Sequence, residues 1–261
     1  MRLAAVWLAI VPGLLLFAPA TAGASALRAP VSLVASPARV AIAGSGRATI
    51  QIRNSGSRRV ELIVRRAGFA LDLRGRPRIV RRGRTGGAGS WLTVRPRRLA
   101  LAPGTNASLT ISSNVPRRAR PGDHNALILL TTRPIRGGRV AVRMRLGVVV
   151  VVRAPGRTSR RLELRRLRTR RVGSARILEL LVANRGSVTE ILQRERLTMI
   201  LRFGRRIVAR LEPAARELLA RTSGLVQARY TGRVRGRITA VVELSYGPGL
   251  GTVRRAFHLR L

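Results

Sequence analysis

From Val31 onward the chain alternates apolar and polar residues in short runs separated by Gly, Pro, Asn and Ser, the period-two signature of β-strands. Val31 to Ala35, Arg39 to Ala43, Ala48 to Arg53 and Val60 to Arg65 are the first four runs. The third places Ala48, Ile50 and Ile52 on one face and Thr49, Gln51 and Arg53 on the other, then stops at Asn54-Ser-Gly56, a turn tripeptide. From Arg74 to Ser90 the composition shifts to Arg and Gly around one apolar pair, Ile79 and Val80, which predicts a loop or hairpin tip. Strands resume at Trp91 to Val94, at Leu99 and Leu101, and at Ala107 to Ser112, with Pro103-Gly104 turning between the last two. Pro116 to Pro121 leads into Ala126 to Thr131, and a Gly137-Gly138 turn leads into a long strand from Val140 to Arg153.

Ala154-Pro-Gly156 reads as a linker, and the grammar then repeats. Leu162 to Leu167 and Arg176 to Val182 are strands, and the second runs into Asn184-Arg-Gly186 as the earlier one ran into Asn54-Ser-Gly56. Leu197 to Phe203 and Ile207 to Leu211 form a hairpin around Gly204, although Glu190 to Leu201 also tolerates helical spacing. Pro213 to Ala220 predicts a helix, with Pro213 at its start and Gly224 past its end. Ile238 to Ser245 and Val253 to Leu261 close the chain. The expected fold is all-β, two immunoglobulin-like β-sandwich domains in tandem, over residues 28–155 and 156–261.

Residues 1–26 read differently: Arg2 precedes an apolar run from Leu3 to Phe17, followed by small residues with A-x-A patterns at 18–20, 20–22 and 22–24. That is a secretory signal peptide, cleaved between Ala20 and Ala26, because the run is shorter than the roughly 20 residues that span a bilayer. An extracellular, cell-surface or periplasmic location follows, and no transmembrane segment is expected in the mature chain. Export permits disulfides, yet there is no cysteine, so packed cores must supply the stability and no thiol or thiolate metal chemistry is available.

The formal net charge is +42, and all 52 basic residues are arginine with no lysine. Such a one-sided choice fits a GC-rich genome as well as it fits function, and the arginines are spread along the solvent-facing positions of the strands. A solvated exterior is the first reading. A surface this positive still attracts anionic wall or envelope polymers, over a screening length of about 10 Å at 0.1 M salt. Arg81, Arg82 and Arg84 in the Arg-Gly segment, and Arg39, are the candidate anion contacts. Nucleic acid is not an expected partner, because the segment has no aromatic residues on which bases could stack.

Groups for covalent chemistry are scarce: two histidines, His124 and His258, and two aspartates, Asp72 and Asp123. Asp123 and His124 are neighbours whose side chains point to opposite faces of a strand, so a base and its orienter are not assembled there, and Asp123 is expected to cap a turn. Six glutamates follow Leu164, among arginines that would pair with them. No catalytic residue, metal site or cofactor is expected. Within the long strand, Val148, Val149, Val150, Val151 and Val152 break the alternation. Such a run means either burial on both faces or an exposed edge that pairs with another chain.

Val31 to Pro155 resembles the N-terminal domain of the PapD-like superfamily of bacterial exported immunoglobulin-like proteins. The resemblance rests on Ser36-Pro-Ala-Arg39-Val40, Asn54-Ser-Gly56, Trp91 with Pro96-Arg-Arg-Leu99-Ala-Leu101-Ala-Pro103-Gly104, and Pro121-Gly-Asp-His124. Two groups within it are similar, the WxL-interacting cell-surface proteins and the periplasmic pilus chaperones. Likeness to the chaperones implies that Arg39 anchors a subunit's terminal carboxylate, while their second anchoring cation falls in the strand where this chain carries its valines. Two functions are therefore expected to compete. One is an envelope binding and scaffolding protein that contacts a surface protein and anionic polymer. The other is an assembly chaperone that binds a fibre subunit by β-strand addition.

Overall fold

The computed structural model describes residues 31–80, 87–137, 140–247 and 251–261. The first half holds β1 (Leu33–Ser36), β2 (Arg39–Ala43), β3 (Arg47–Asn54), β4 (Val60–Leu71), β5 (Pro77–Val80), β6 (Leu92–Arg95), β7 (Arg98–Leu101), β8 (Asn106–Ser113), β9 (Gly122–Thr132), β10 (Ile135–Gly137), β11 (Val140–Val142) and β12 (Arg145–Ala154). The second half holds β13 (Leu162–Val172), β14 (Ala175–Asn184), β15 (Glu190–Leu192), β16 (Leu197–Phe203), β17 (Arg206–Leu211), β18 (Arg216–Leu218), β19 (Ser223–Tyr230), β20 (Arg237–Ser245) and β21 (Thr252–Arg260). Among the described residues only two short 3-10 turns, Ala88–Ser90 and Arg194–Arg196, are helical. The chain is all-β, as its alternation predicts.

In the first sandwich, β1-β3-β8-β6 faces β2-β12-β9-β4-β5, with β7 also on β4 and β10-β11 as a separate hairpin. Ile50, Ile52, Leu109 and Ile111 from one sheet meet Leu62, Ile128, Leu130, Val148, Val150 and Val152 from the other, all buried. In the second, β13-β14-β19 and β17-β16-β20-β21 enclose Leu178, Leu180, Val182, Leu197, Met199, Leu201, Val242 and Leu244, with the small β15-β18 pair at one end. Each such side chain contributes about 1.5–3 kcal/mol on leaving water. Two continuous cores of this kind explain how a chain without cysteine holds its fold with no disulfide.

The repeat read from Asn-x-Gly is present at atomic detail. Asn54 Nδ2 donates to Arg58 O (2.8 Å) and Leu101 O (3.1 Å), while its Oδ1 accepts from Gly56 N (3.0 Å). Asn184 Nδ2 donates to Val188 O (2.8 Å) and Leu218 O (3.1 Å), while its Oδ1 accepts from Gly186 N (2.9 Å). Even the backbone agrees, because Asn54 N donates to Thr105 O and Asn184 N to Thr222 O. A buried amide thus ties the same turn to the same neighbouring segment in both sandwiches.

Three expectations need correction. Pro213 to Ala220 is not a helix: Arg216, Glu217 and Leu218 form β18, paired with β15, and Leu218 is buried in the second core. Leu, Ala and Glu favour helix only weakly, and these tertiary partners override the preference. Gly224 accordingly belongs to β19, a strand the sequence reading passed over. A Cβ there would stand 2.5 Å from Leu218 Cδ2, so that side chain would have to shift for anything larger than glycine, and with no side chain at this inward position the apolar alternation is hidden. The long strand from Val140 is divided into β11 and β12, and the Arg74 to Ser90 segment contributes β5 as the second arm of a hairpin with β4.

The two asparagines provide a direct check of the repeat. Asn54→Ala and Asn184→Ala should each cost about 2–4 kcal/mol, since each strands several buried carbonyls at once. In urea unfolding, Trp91 fluorescence should report the Asn54→Ala loss and the tyrosine signal of Tyr230 and Tyr246 the Asn184→Ala loss. Equal effects on both probes would contradict separate equivalent turns.

Candidate functional site

Strand β12 decides where a partner could add. Along one flank it pairs antiparallel with β9 over its whole length, from Arg145↔Thr131 to Ala154↔Gly122. On the other flank it pairs parallel with β2, but only from Val149↔Arg39 to Arg153↔Ala43. The cause lies in the chain's first strands: β1 lies in the opposite sheet, and the chain crosses over at Pro37-Ala38 before β2 begins.

The valine run is therefore not the edge. Val149, Val150, Val151 and Val152 are paired on both flanks. They are also covered on both faces, because Val148, Val150 and Val152 are wholly buried in the core and Val151 is 5% exposed on the other face. Only Val148, of the five candidates, belongs to the open portion, which runs from Arg145 to Val148 with no strand beside it among the described residues. Val149 N donates to Ala38 O and Arg153 O accepts from Gly44 N, so odd-numbered residues turn their main chain toward β2. By the same alternation Arg145 and Gly147 present theirs to the open flank. Nothing in the composition distinguishes this half from the other.

The open flank ends at Arg39. Its side chain lies on the outer face, and its Nη1 donates to Glu217 Oε1 of β18 in the second sandwich. Arg39 is thus already occupied by a carboxylate. Val149 stands opposite it in the register, so β12 supplies no second cation at this point. Arg81, Arg82 and Arg84 lie outside the described residues.

Further contacts join the two sandwiches. Phe69 and Leu127, on the outer face of the first, pack with Leu219 of the second. The turn of the β4–β5 hairpin reaches across, where Leu73 O accepts from Leu225 N (2.6 Å) and Arg216 Nη2 (2.7 Å). Arg216 Nη1 also donates to Arg74 O. Asp72 Oδ1 holds that turn by accepting from Arg74 N (2.8 Å) and Arg76 N (2.9 Å).

Asp123 does more than cap a turn. It is buried, takes Arg153 Nε (2.7 Å) and Nη2 (3.2 Å) in a fork, and accepts from Thr189 N (2.8 Å) of the second sandwich. Its own N–H donates to Ser187 O (2.7 Å). Gly122, at φ +108°, lets the chains approach this closely, for a Cβ there would sit 2.1 Å from Ser187 O. Burial pushes the Asp123 carboxyl up, but Arg153 and the Thr189 amide outweigh it and hold the group below the usual aspartate value. The sequence hint was faint: one of two aspartates, directly after Pro-Gly.

His124 points away from Asp123, as strand alternation requires. Its ring lies 4.5 Å from that of Trp91, and Nε2 is 2.7 Å from Arg120 O. Both rings line a cleft of about 570 Å³ with Phe69, Asn125, Leu219 and Thr222. Glu163, Glu190 and Glu243 are paired with arginines, and the described residues hold no cluster of three or more potential metal ligands.

Acid should loosen the junction. A carboxyl held low in the folded chain adds stability that is complete above its unfolded pKa, about 3.9, and is lost as pH falls through the lower folded value. Stability should therefore drop below about pH 5, with Asp72 and Glu163, which are also held low, contributing less from the surface. Asp123→Asn should cost about 1–3 kcal/mol at neutral pH and flatten the acid limb of a melting-temperature profile. An unchanged limb would count against the junction as its main source.

No family model and no curated protein matches the sequence. Solved structures do match in shape. A chain from a chaperone–tip adhesin complex of CFA/I fimbriae biogenesis aligns over 86% of this chain and 98% of its own, at 8% identity and a TM-score of 0.51. A chain from the CsuC–CsuE chaperone–tip adhesion subunit complex of Acinetobacter baumannii covers 87% and 97%, at 12% identity and a TM-score of 0.47. The E. coli chaperone DraB covers 88% and 99%, at 14% and 0.44. An alignment spanning both sandwiches of one chain and nearly all of the other gives the conclusion: this chain has the two-domain PapD-like fold.

Proposed function

We propose that the chain is a periplasmic assembly chaperone for fibre subunits, acting by β-strand addition rather than by chemistry. The observation that carries this reading is the open half of β12, with unpaired main chain at Arg145 and Gly147 and a guanidinium, Arg39, where the opening ends. The fimbrial complex with the same fold agrees with it, being itself a chaperone bound to an adhesin. Residues 1–26 serve as the export signal, and residues 28–155 and 156–261 form the two domains.

An incoming extended segment gains about four main-chain hydrogen bonds at Arg145 and Gly147. At about 1 kcal/mol each, these correspond to binding of only about 1 mM. Side chains must supply the rest, and Met144 and Leu146, both half-buried, are the apolar ones at this stretch, Val148 being committed to the core. A partner with its own unfilled apolar groove and a free edge therefore fits best. At the end of the flank, Arg39 takes the partner's carboxylate. The arginine exterior keeps the loaded chaperone soluble through self-repulsion.

Gly147→Pro tests strand addition with little effect on the fold, because it removes an N–H that faces the opening. The variant should lose the ability to suppress light scattering by a refolding fibre subunit at equimolar ratio, with a melting temperature within a few degrees of the parent. Val150→Pro, by contrast, should unfold the sandwich, since its main chain is used within the sheet. Undiminished protection by the Gly147→Pro variant would exclude the mechanism.

A further inference from the structure

We infer that Glu217 is a built-in ligand for Arg39, one that a partner's carboxylate must displace. The inference rests on the strand-addition reading, and it concerns what the open flank accepts.

Ala38 O already takes Val149 N, so a strand laid along Arg145 to Gly147 must stop there, one residue from Arg39. What it meets is an occupied guanidinium. Glu217 is not a wandering surface carboxylate: its main chain is paired with Ile191, and it stands between Arg216, held by Leu73 O and Arg74 O, and Leu218, buried in the second core. The backbone thus presents this carboxylate to Arg39 before any partner arrives.

Sharing is unfavourable because the cations nearby are committed. Val149 lies opposite Arg39, Arg153 is forked onto Asp123, and Arg216 is turned to the hairpin carbonyls. A partner carboxylate and Glu217 on one guanidinium would place two like charges within a few ångströms, which disfavours both being ionised together. One therefore leaves. The exchange of one carboxylate for another adds little affinity, but it discriminates: a strand without a carboxylate finds Arg39 closed, and one that carries it can open the contact. The carboxylate could come from a chain terminus or from an acidic side chain.

Three fluorescently labelled ten-residue peptides of one alternating Val-Thr sequence separate these cases: one ending in a free carboxylate, one amidated, and one amidated with aspartate as its last residue. Their binding to the full chain is read by anisotropy with the parent, Glu217→Gln and Arg39→Gln proteins, each first shown to melt like the parent. Glu217→Gln should tighten the free-acid or the aspartate peptide about three- to five-fold, the range of an exposed ion pair, and leave the plain amide unchanged. Whichever peptide responds identifies the source. Arg39→Gln should bind all three alike. If Glu217→Gln changes all three peptides equally, or none of them, Glu217 is not a competing ligand. If no peptide binds any variant at millimolar concentration, the strand-addition reading itself falls and this inference falls with it.

Discussion

A strand inside a protein satisfies its main chain only when both flanks are paired, and β12 meets that condition for half its length. The unpaired half follows from the order of the chain. The path from β1 to β2 is split between two sheets, so β2 arrives beside β12 only at Val149. A continuous first strand would have closed the sheet and left no place for a partner. An edge left open invites aggregation, and here it is short, four residues, and lies next to a charged end. That arrangement suits the strand addition proposed above, because a short opening beside a charged end admits one segment and disfavours edge-to-edge pairing of copies.

The junction between the sandwiches explains why arginine is more than a coating. Arg153, Arg216 and Arg221 each donate across it or beside it, to Asp123, to Leu73 O and Arg74 O, and to Pro121 O. A guanidinium suits such places, because its five fixed donors reach several acceptors and it keeps its charge at any working pH. The apolar part of the junction is small, centred on Phe69, Leu127 and Leu219. Polar contacts therefore set the angle between the domains, and the segment from Arg216 to Arg221 supplies most of those that come from the second sandwich. The contact between Glu217 and Arg39 thus belongs to the same short segment that holds the domains together.

Much of the fold was legible from period-two alternation, and the reason is that both sandwiches bury one face of nearly every strand. Asn54 and Asn184 were legible because a turn that needs Asn, any residue and Gly leaves a literal trace. Segments failed where tertiary contacts decided the matter: β18 carries helix-favouring residues but is held by β15 and the other domain, and β19 sets Gly224 and Ala228 among its inward residues beside Val226 and Tyr230, with half-buried Leu225 on the other face, which blurs its alternation. Asp123 was visible as a turn residue, whereas its fork to Arg153 and its contact with Thr189 join positions far apart in the chain.

The valine run shows most clearly what composition can and cannot carry. Five consecutive valines report burial on two faces, and that is where they lie, with Val148, Val150 and Val152 in the core, Val151 buried on the other face and Val149 packed against Phe69, Leu127 and Leu219. Burial of faces, however, is independent of pairing at flanks. An edge strand can have both faces covered, and a central one can have a face open. The flank of β12 is determined by where another strand enters the sheet, which depends on Pro37 and Ala38, over a hundred residues earlier. Side-chain type reports the faces of a strand, so the opening had to be found from the register, and it runs from Arg145 to Val148, overlapping the valine run only at its first residue.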